Sequence, residues 1–330
     1  MTSAPASPRL MVIPGDGIGG EVVPVAVALL RTVVPKLRTT DRQAGFAYWE
    51  VHGVSMPPDL IDEARRHDGI LFGATGTPAP PPPSYESPIL ALRKELNLHA
   101  SIRYFRSSRA NSMDLVIVRD ISEGLYIAVE RETPSGMIAE HHVTRLGTER
   151  LARIAAGLAR RRNGRVTVVH KANVLRRTEG LFLEVAAEVL ESEGIAWDGA
   201  LADAAGYHLV MDPRKYDVMM ANSHFGDLLS DVAAALAGGL GLIPSLTVGE
   251  GPPLAEPVHG SAPDIAGQDK ADPVATVLSG CELLDHLGVA GPARRLRDAT
   301  EAHLRARDKE ARSMTTSGIA ADIARRLDSA

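Results

Sequence analysis

Two aspartates four residues apart, Asp227 and Asp231 in FGDLLSDVAAALAG, have the spacing of residues that do chemistry. On a helix they share one face, a turn apart. Like charges so placed destabilise a helix unless something neutralises them. Asp227 alone would be explained by compensation of the helix dipole. Two carboxylates on an otherwise apolar helix point instead to a hard cation, and oxygen-only ligation suits Mg²⁺ or Mn²⁺ better than Zn²⁺. Asp203 in ALADAAGYHLV is a third candidate ligand, provided the fold brings it close. Lys171 follows the apolar run RVTVVH, at the strand end where open α/β sheets bind ligands. It reads either as an exposed strand-end lysine or as a base activated by desolvation or a nearby cation. Arg93, Arg103 and Arg119 stand at element ends and suit a bidentate grip on more than one carboxylate. Singly, each also reads as a surface charge or a structural ion pair. Tyr126 in EGLYIAV alternates with apolar residues, as a packed strand tyrosine does. The stretch His259 to Asp272, HGSAPDIAGQDKAD, can offer N–H groups to a phosphate and a carboxylate to a ribose diol, or be an ordinary connection.

Alternating strands and helices must position these groups. Strands are expected at Leu10–Ile13, Asp68–Phe72, DLVIVRD (114–120), GLYIAVER (124–131), RVTVVH (165–170) and YDVMMANSH. Helices are expected at EVVPVAVALLRTVV, PILALRKELNLHA, LGTERLARIAAGLARRR, TEGLFLEVAAEVLESEG and FGDLLSDVAAALAGG. GATGTPAPPPPSYESP carries too much Gly and Pro for either and reads as a long loop. The last 70 residues read as Ala-rich helix. Strands that alternate with helices imply an α/β fold with both sheet faces covered.

Composition narrows the classes. The 330 residues, 45% hydrophobic, suffice for two domains, and no run is long enough to span a membrane. A net charge of -5 with scattered basic residues favours neither nucleic acid nor a membrane surface. The single cysteine, Cys281, lies in an apolar helical pattern and reads as a small core residue; a reducing, cytoplasmic compartment is expected. PGDGIGG places Gly15, Gly17 and Gly20 in the spacing of a dinucleotide fingerprint. Pro14 inside the turn, and the lack of a following strand that ends in an acid, argue for a tight turn lining a cofactor cleft instead.

The segments PGDGIGGEV, LRKELNLHASIR, VRDISEGLY, HKANVL, NSHFGDLLSDVAA and EPVHGSAPDIAGQ resemble the decarboxylating β-hydroxyacid dehydrogenases: isopropylmalate, isocitrate, homoisocitrate and tartrate dehydrogenases. They span about nine-tenths of the chain in family order and spacing. The resemblance implies that family's two-domain α/β fold, not a Rossmann fold. Residues 1–98 plus 239–330 would form a cofactor-binding domain, and 99–238 a central substrate, metal and dimerisation domain. Arg93, Arg103 and Arg119 would hold substrate carboxylates, and Asp203, Asp227 and Asp231 would bind Mg²⁺ or Mn²⁺. Lys171 would accept the hydroxyl proton as hydride leaves for NAD, and Tyr126 would protonate the carbon that loses CO₂. Lys171 and Asp203 would enter from the neighbouring subunit of a homodimer. Ile13, Gly73, Ala74 and Thr75, with His259, Gly260, Ser261, Ala262, Pro263, Asp264, Ile265 and Asp272, would hold the cofactor.

The substrate implied is a 3-substituted malate. Family members read the C3 group with residues ahead of the first arginine, here Glu86, Ser87, Ile89 and Leu90. Ile89 and Leu90 favour an apolar group, as in 3-isopropylmalate. An isocitrate or homoisocitrate type, or a non-standard malate such as a phosphonate analogue, is the alternative, since HKANVLRRTEGLF and ALAGGLGLIPS lie closer to the isocitrate branch. An inactive regulatory subunit should have lost metal or proton-transfer residues, and none is missing here. A Zn²⁺-using relative with histidine ligands would not keep HGSAPDIAG. Asp264 stands where NADP-using relatives carry Lys, which implies NAD. Three positions depart from the pattern: Tyr104 replaces a usual proline, Asp120-Ile121-Ser122 a usual acid–Asn–Thr, and Asp272 a usual Asn.

Overall fold

A computed structural model describes residues 7–77, 80–82, 84–107, 113–310 and 314–329. Pro78, Ala79 and Pro83 of the expected loop therefore lie outside the described residues, as does much of the N-terminal stretch MTSAPASPRL. In chain order the elements are β1 (Arg9–Gly15), α1 (Gly19–Val33), β2 (Arg38–Asp41), α2 (Phe46–His52), α3 (Leu60–Ala64), β3 (Gly69–Ala74) and α4 (Pro88–Glu95). Then come β4 (Leu98–Arg106), β5 (Asp114–Asp120), β6 (Glu130–Thr133), β7 (Gly136–Ala139), α5 (Arg145–Arg160), β8 (Arg165–His170), α6 (Thr178–Ser192), β9 (Ala196–Leu201), α7 (Ala202–Met211), β10 (Val218–Ala221) and α8 (Ser223–Ala237). β11 (Pro244–Gly249), β12 (Leu254–Pro257), α9 (Val274–His286), α10 (Ala290–Glu310) and α11 (Thr316–Asp328) complete the chain. No helix among the described residues is long and apolar enough to cross a membrane.

The chain divides into two compact units, Met1–Asn97 with Leu240–Ala330, and Leu98–Gly239. In the first, strands run in the order β2-β1-β3-β12-β11, parallel except for β11. β3 is buried along its whole length, as a central strand covered on both faces must be. α1 and α9 cover the sheet, and Cys281 is buried in α9 as a core residue. In the second unit the order is β4-β5-β10-β8-β9, with only β4 antiparallel, plus a separate β6–β7 hairpin.

Two expected elements differ. The helix from Pro88 stops at Glu95; Asn97 turns left-handed at φ 50, and LHASIRYFR becomes strand β4. Pairing with β5 from Ala100 to Arg106 and nearly complete burial override the local helical pattern. GLYIAVER is no continuous strand. Gly124 (φ 69) and Ala128 (φ 53) break it into a 3₁₀ turn at Leu125–Ile127, and extension resumes only in β6.

The glycine turn after β1 is built by close approach of backbones. A Cβ on Gly15 would collide with the Ala74 carbonyl, and one on Gly17 with the Ser261 carbonyl. Gly20, third in the fingerprint spacing, faces open space. Gly17→Ala is therefore expected to lower the thermal midpoint by several degrees, since strain at a left-handed position alone costs of order 1–3 kcal/mol. Gly20→Ala should leave the midpoint unchanged or raise it. Equal losses in thermal unfolding of the two variants would contradict this account of the turn.

Candidate active site

The central site grows from the ends of β5 and β10. Arg119, buried near the end of β5, donates to Asp227 on α8 and, over 3.2 Å, to the Tyr126 hydroxyl. Tyr126 donates in turn to the other Asp227 oxygen at 2.7 Å, and the Arg119 guanidinium carbon lies 5.4 Å from the Tyr126 ring centroid. Arg103 of β4 reaches the same helix: its Nη1 donates to Ser230 Oγ at 2.5 Å and lies 3.3 Å from Asp231, while Nη2 lies 3.6 Å from Asp227. One carboxylate thus faces two guanidinium groups and a phenol. Burial, then the bond to Asp227, raise the Tyr126 pKa above its ordinary value, against the opposing pull of Arg119, so the phenol stays protonated at neutral pH.

Local sequence explains how these groups meet. Asn222 accepts a bond from Phe225 N at 3.1 Å and caps α8, which makes the expected strand YDVMMANSH end at Ala221. Gly226 lets α8 close on β5, because a Cβ there would strike the Arg119 side chain. Asp120, almost wholly buried, accepts 2.6 Å bonds from Ser122 N and Glu123 N and turns the chain out of β5 toward Tyr126. Tyr126 is consequently a half-exposed site residue and not the packed strand tyrosine its alternating pattern suggested. Tyr104 is buried in β4 on the face opposite Arg103, so it does not line the arginine site.

Lys171 and Asp203 pair with each other, Nζ to Oδ1 at 2.6 Å, and the ammonium holds Asp203 below the usual carboxylate range. Among the described residues no three acidic, His or Cys side chains gather as a metal site within one chain. The chain's own fold therefore does not bring Asp203 to Asp227 and Asp231. Asp203 shares a face of α7 with Tyr207, Val210 and Met211, all strongly exposed.

The first unit holds the remaining candidates. Arg93 on α4 pairs with Glu256 on β12 at 2.5 Å, and its buried Nε has no partner among the described residues; the same is true of Arg119 Nε. Ser87 occupies the N-cap position of α4, Ile89 is half-buried, and Glu86 and Leu90 are exposed, Leu90 by 57%. Tyr85 is committed to the loop, donating to the Gly76 carbonyl at 3.0 Å. The Gly15–Gly20 turn brings Gly73–Thr75 and the 259–272 loop to one place, with Ile18 N bonded to Ser261 O at 2.9 Å. Ile13 is wholly buried and offers no surface to a ligand. Asp272 is engaged within the protein, capping α9 through Val274 N at 3.0 Å and pairing with Arg307 at 2.5 Å. The Asp264 side chain is exposed and has no partner among the described residues. His259 keeps Nδ1 3.0 Å or less from the Gly260 carbonyl, at 2.9 Å, and burial lowers its pKa, so the neutral ring has its buried Nε2 free to accept a bond.

Four residues that the sequence did not single out hold this machinery. Asp16 accepts from Phe46 N, Ala47 N and Gly76 N at 2.8–2.9 Å. Glu256 and Ser230 partner arginines, and Glu179 accepts from Lys171 N and Asn222 Nδ2. Ser230 sits beside Asp231 in the recognisable helix; Asp16 and Glu256 lie in quoted segments but carry no spacing that marks them.

Residues 9–324 match the isocitrate/isopropylmalate dehydrogenase family model. The homoisocitrate dehydrogenase of Methanocaldococcus jannaschii is 40% identical, covering 89% of each chain. The 3-isopropylmalate dehydrogenase of Archaeoglobus fulgidus is 38% identical over 89% of this chain and 90% of its own. The crystal structure of isocitrate dehydrogenase from Methylococcus capsulatus superposes with a TM-score of 0.89 at 35% identity, covering 97% of this chain and 99% of that one. The chain belongs to the isocitrate/isopropylmalate dehydrogenase family and has its two-domain α/β fold, with the decarboxylating, malate-type dehydrogenase chemistry of that family.

Burial lifts the Asp120 pKa to about 6. Its folded value then exceeds the ordinary one near 4. The protonated form is favoured in the native state, so this contribution is fully present at low pH and is lost as pH rises through about 6. Relative to Asp120→Asn, the parent protein should lose about 1 kcal/mol between pH 5 and pH 7.5 in urea unfolding. Parallel stability profiles would contradict the burial of a charge at this turn.

Proposed function

We propose that the protein is a cytoplasmic, homodimeric, NAD-dependent enzyme that oxidises and decarboxylates a 3-substituted malate with an apolar C3 group, using Mg²⁺ or Mn²⁺. The observation that carries this is the Asp227 carboxylate, faced by Arg119, Arg103 and Tyr126 beside Asp231. Arg93, Arg103 and Arg119 hold the substrate's carboxylates. The donor set of Asp227 and Asp231, with Asp203 of a second copy, is all oxygen and fits a hard divalent ion, which supplies polarisation of the substrate hydroxyl and of the carbonyl formed from it. Lys171 would take the proton of the substrate hydroxyl when that group is oxidised, with the nicotinamide cofactor as the hydride acceptor when bound. Tyr126, kept protonated by burial and Asp227, delivers a proton to the carbon that loses CO₂.

A second copy is called for by Asp203, which sits on an exposed apolar face of α7, away from its fellow ligands. Twelve of the sixteen large hydrophobic residues exposed among those described lie in the 98–239 unit, Met137 and Ile138 of the hairpin among them. Contact with a second copy would cover such groups, which supports the dimeric reading. Gly73, Ala74, Thr75 and the 259–272 loop hold the cofactor, with Asp264 taking the ribose 2′-OH and repelling a 2′-phosphate. The single buried cysteine suits a reducing compartment.

Exposed Leu90 and half-buried Ile89 favour an alkyl or arylalkyl group at C3. Desolvating an unpaired carboxylate there costs several kcal/mol, against about 0.8 kcal/mol gained per buried methylene. A substrate with a polar C3 group is the second reading, favoured by the likeness to homoisocitrate and isocitrate enzymes.

NAD reduction should be measured across isopropylmalate, other 3-alkyl malates, isocitrate, homoisocitrate and a phosphonate analogue. The 3-alkyl malates should show the highest kcat/KM; a clear preference for a tricarboxylate or phosphonate would contradict the apolar reading. Turnover should vanish in excess EDTA, and Asp227→Asn should weaken Mn²⁺ binding and activity together; undiminished turnover in EDTA would sink the metal assignment. NAD should be preferred to NADP by at least about tenfold, which needs only about 1.4 kcal/mol. Equal kcat/KM for both would remove Asp264 from its assigned role.

A further inference from the structure

We infer that Glu179 is a positioning residue that fixes the base-bearing turn and the metal-bearing helix relative to each other. It lies in the first turn of α6 and is completely buried. A carboxylate removed from water must be met by donors, and a helix N-terminus also favours it. Three donors converge on it from three other parts of the chain. Lys171 N donates to Oε2 at 3.1 Å, Asn222 Nδ2 to Oε1 at 2.6 Å, and His141 Nε2 reaches Oε1 at 3.0 Å. Lys171 N belongs to the turn that carries the proposed base, and Asn222 is the cap of the helix that carries Asp227 and Asp231. Asn222 divides its amide between the two tasks: Oδ1 caps α8 through Phe225 N, and Nδ2 holds Glu179.

Any movement of α8 therefore pulls on Glu179, and through it on Lys171, which under the proposed function serves the second copy's site, so the link ties one site's metal-bearing helix to the other site's base. Glu179 touches neither substrate nor cofactor in this scheme; it sets where the residues that do so stand. Misplacing reacting groups by about 1 Å can cost on the order of a hundredfold in rate. The effect belongs mainly in kcat, because Glu179 is bonded to Lys171 N, Asn222 and His141 and to none of the three arginines that bind substrate.

The proposal rests on the roles given above to Lys171 and Asp227. Two variants test it. Glu179→Gln replaces one accepting oxygen by a donor, so one of the two links must break. Asn222→Ser keeps a side-chain oxygen able to cap α8 but is too short to reach Glu179, which severs the link without removing the cap or the buried carboxylate. Steady-state kinetics on the best 3-substituted malate, with circular dichroism to confirm folding, should show kcat reduced at least about tenfold in both, and KM for substrate changed less than about threefold. If Glu179→Gln fails to fold, Asn222→Ser decides alone. A folded Asn222→Ser enzyme with parental kcat, or one whose loss lies in KM, would overturn the proposal. A parent enzyme without turnover on any malate would instead overturn the functional reading on which it rests.

Discussion

Everything in the central site depends on one carboxylate being held among cations. Asp227 is the acceptor for Arg119 and Tyr126, with Arg103 close by, so side chains from β4, β5 and the 3₁₀ turn converge on a single carboxylate of α8. The Asp227–Asp231 pair on one helix face would repel if left alone. Arg103, which lies within reach of both, removes that penalty. The same arrangement prepares the site for chemistry. Charges already held in place would need little reorganisation to receive the multiply charged substrate and divalent ion of the proposed function.

The neighbouring devices share a design in which backbone geometry, not bulk, sets position. Asp120 turns the chain after Arg119 by accepting two backbone N–H groups. Asp16 does the same in the first unit, tying the start of α2 to Gly76. Gly15, Gly17 and Gly226 are small where a carbonyl or an arginine stem must approach. In each case a short polar or small residue permits a contact that a larger one would prevent.

The sequence made the regular parts legible. β5, β8, α5, α6 and α8 follow from hydrophobic periodicity because each buries one clear face or run, and the family's fold followed from the quoted segments. β4 and the Tyr126 turn were misread for one reason: both are decided by non-local pairing and by left-handed residues at Asn97, Gly124 and Ala128, which periodicity does not register. Asp227 meets Arg119 and Asp231 meets Arg103, pairings that the residue types alone did not specify. Asp16, Glu179 and Glu256 were invisible as site residues, because a buried acid is recognisable only by the donors that meet it, and those come from distant segments. Asp272 shows the converse: a loop aspartate that looks free in sequence is occupied by α9 and Arg307.

If, as proposed, Lys171 and Asp203 serve a second copy, each chain alone carries an incomplete site. Mixing two inactive variants tests it most directly. Lys171→Met and Asp227→Asn homodimers, each near zero in NAD reduction, are dissociated, mixed and reassociated, and heterodimer formation is confirmed by differential tags. If sites are shared, each heterodimer has one site with both residues intact and one with neither, so the mixture should recover about a quarter of parental activity. If Lys171 and Asp227 act within the same chain, every site in the heterodimer carries a lesion, and a mixture no more active than its components would contradict the account.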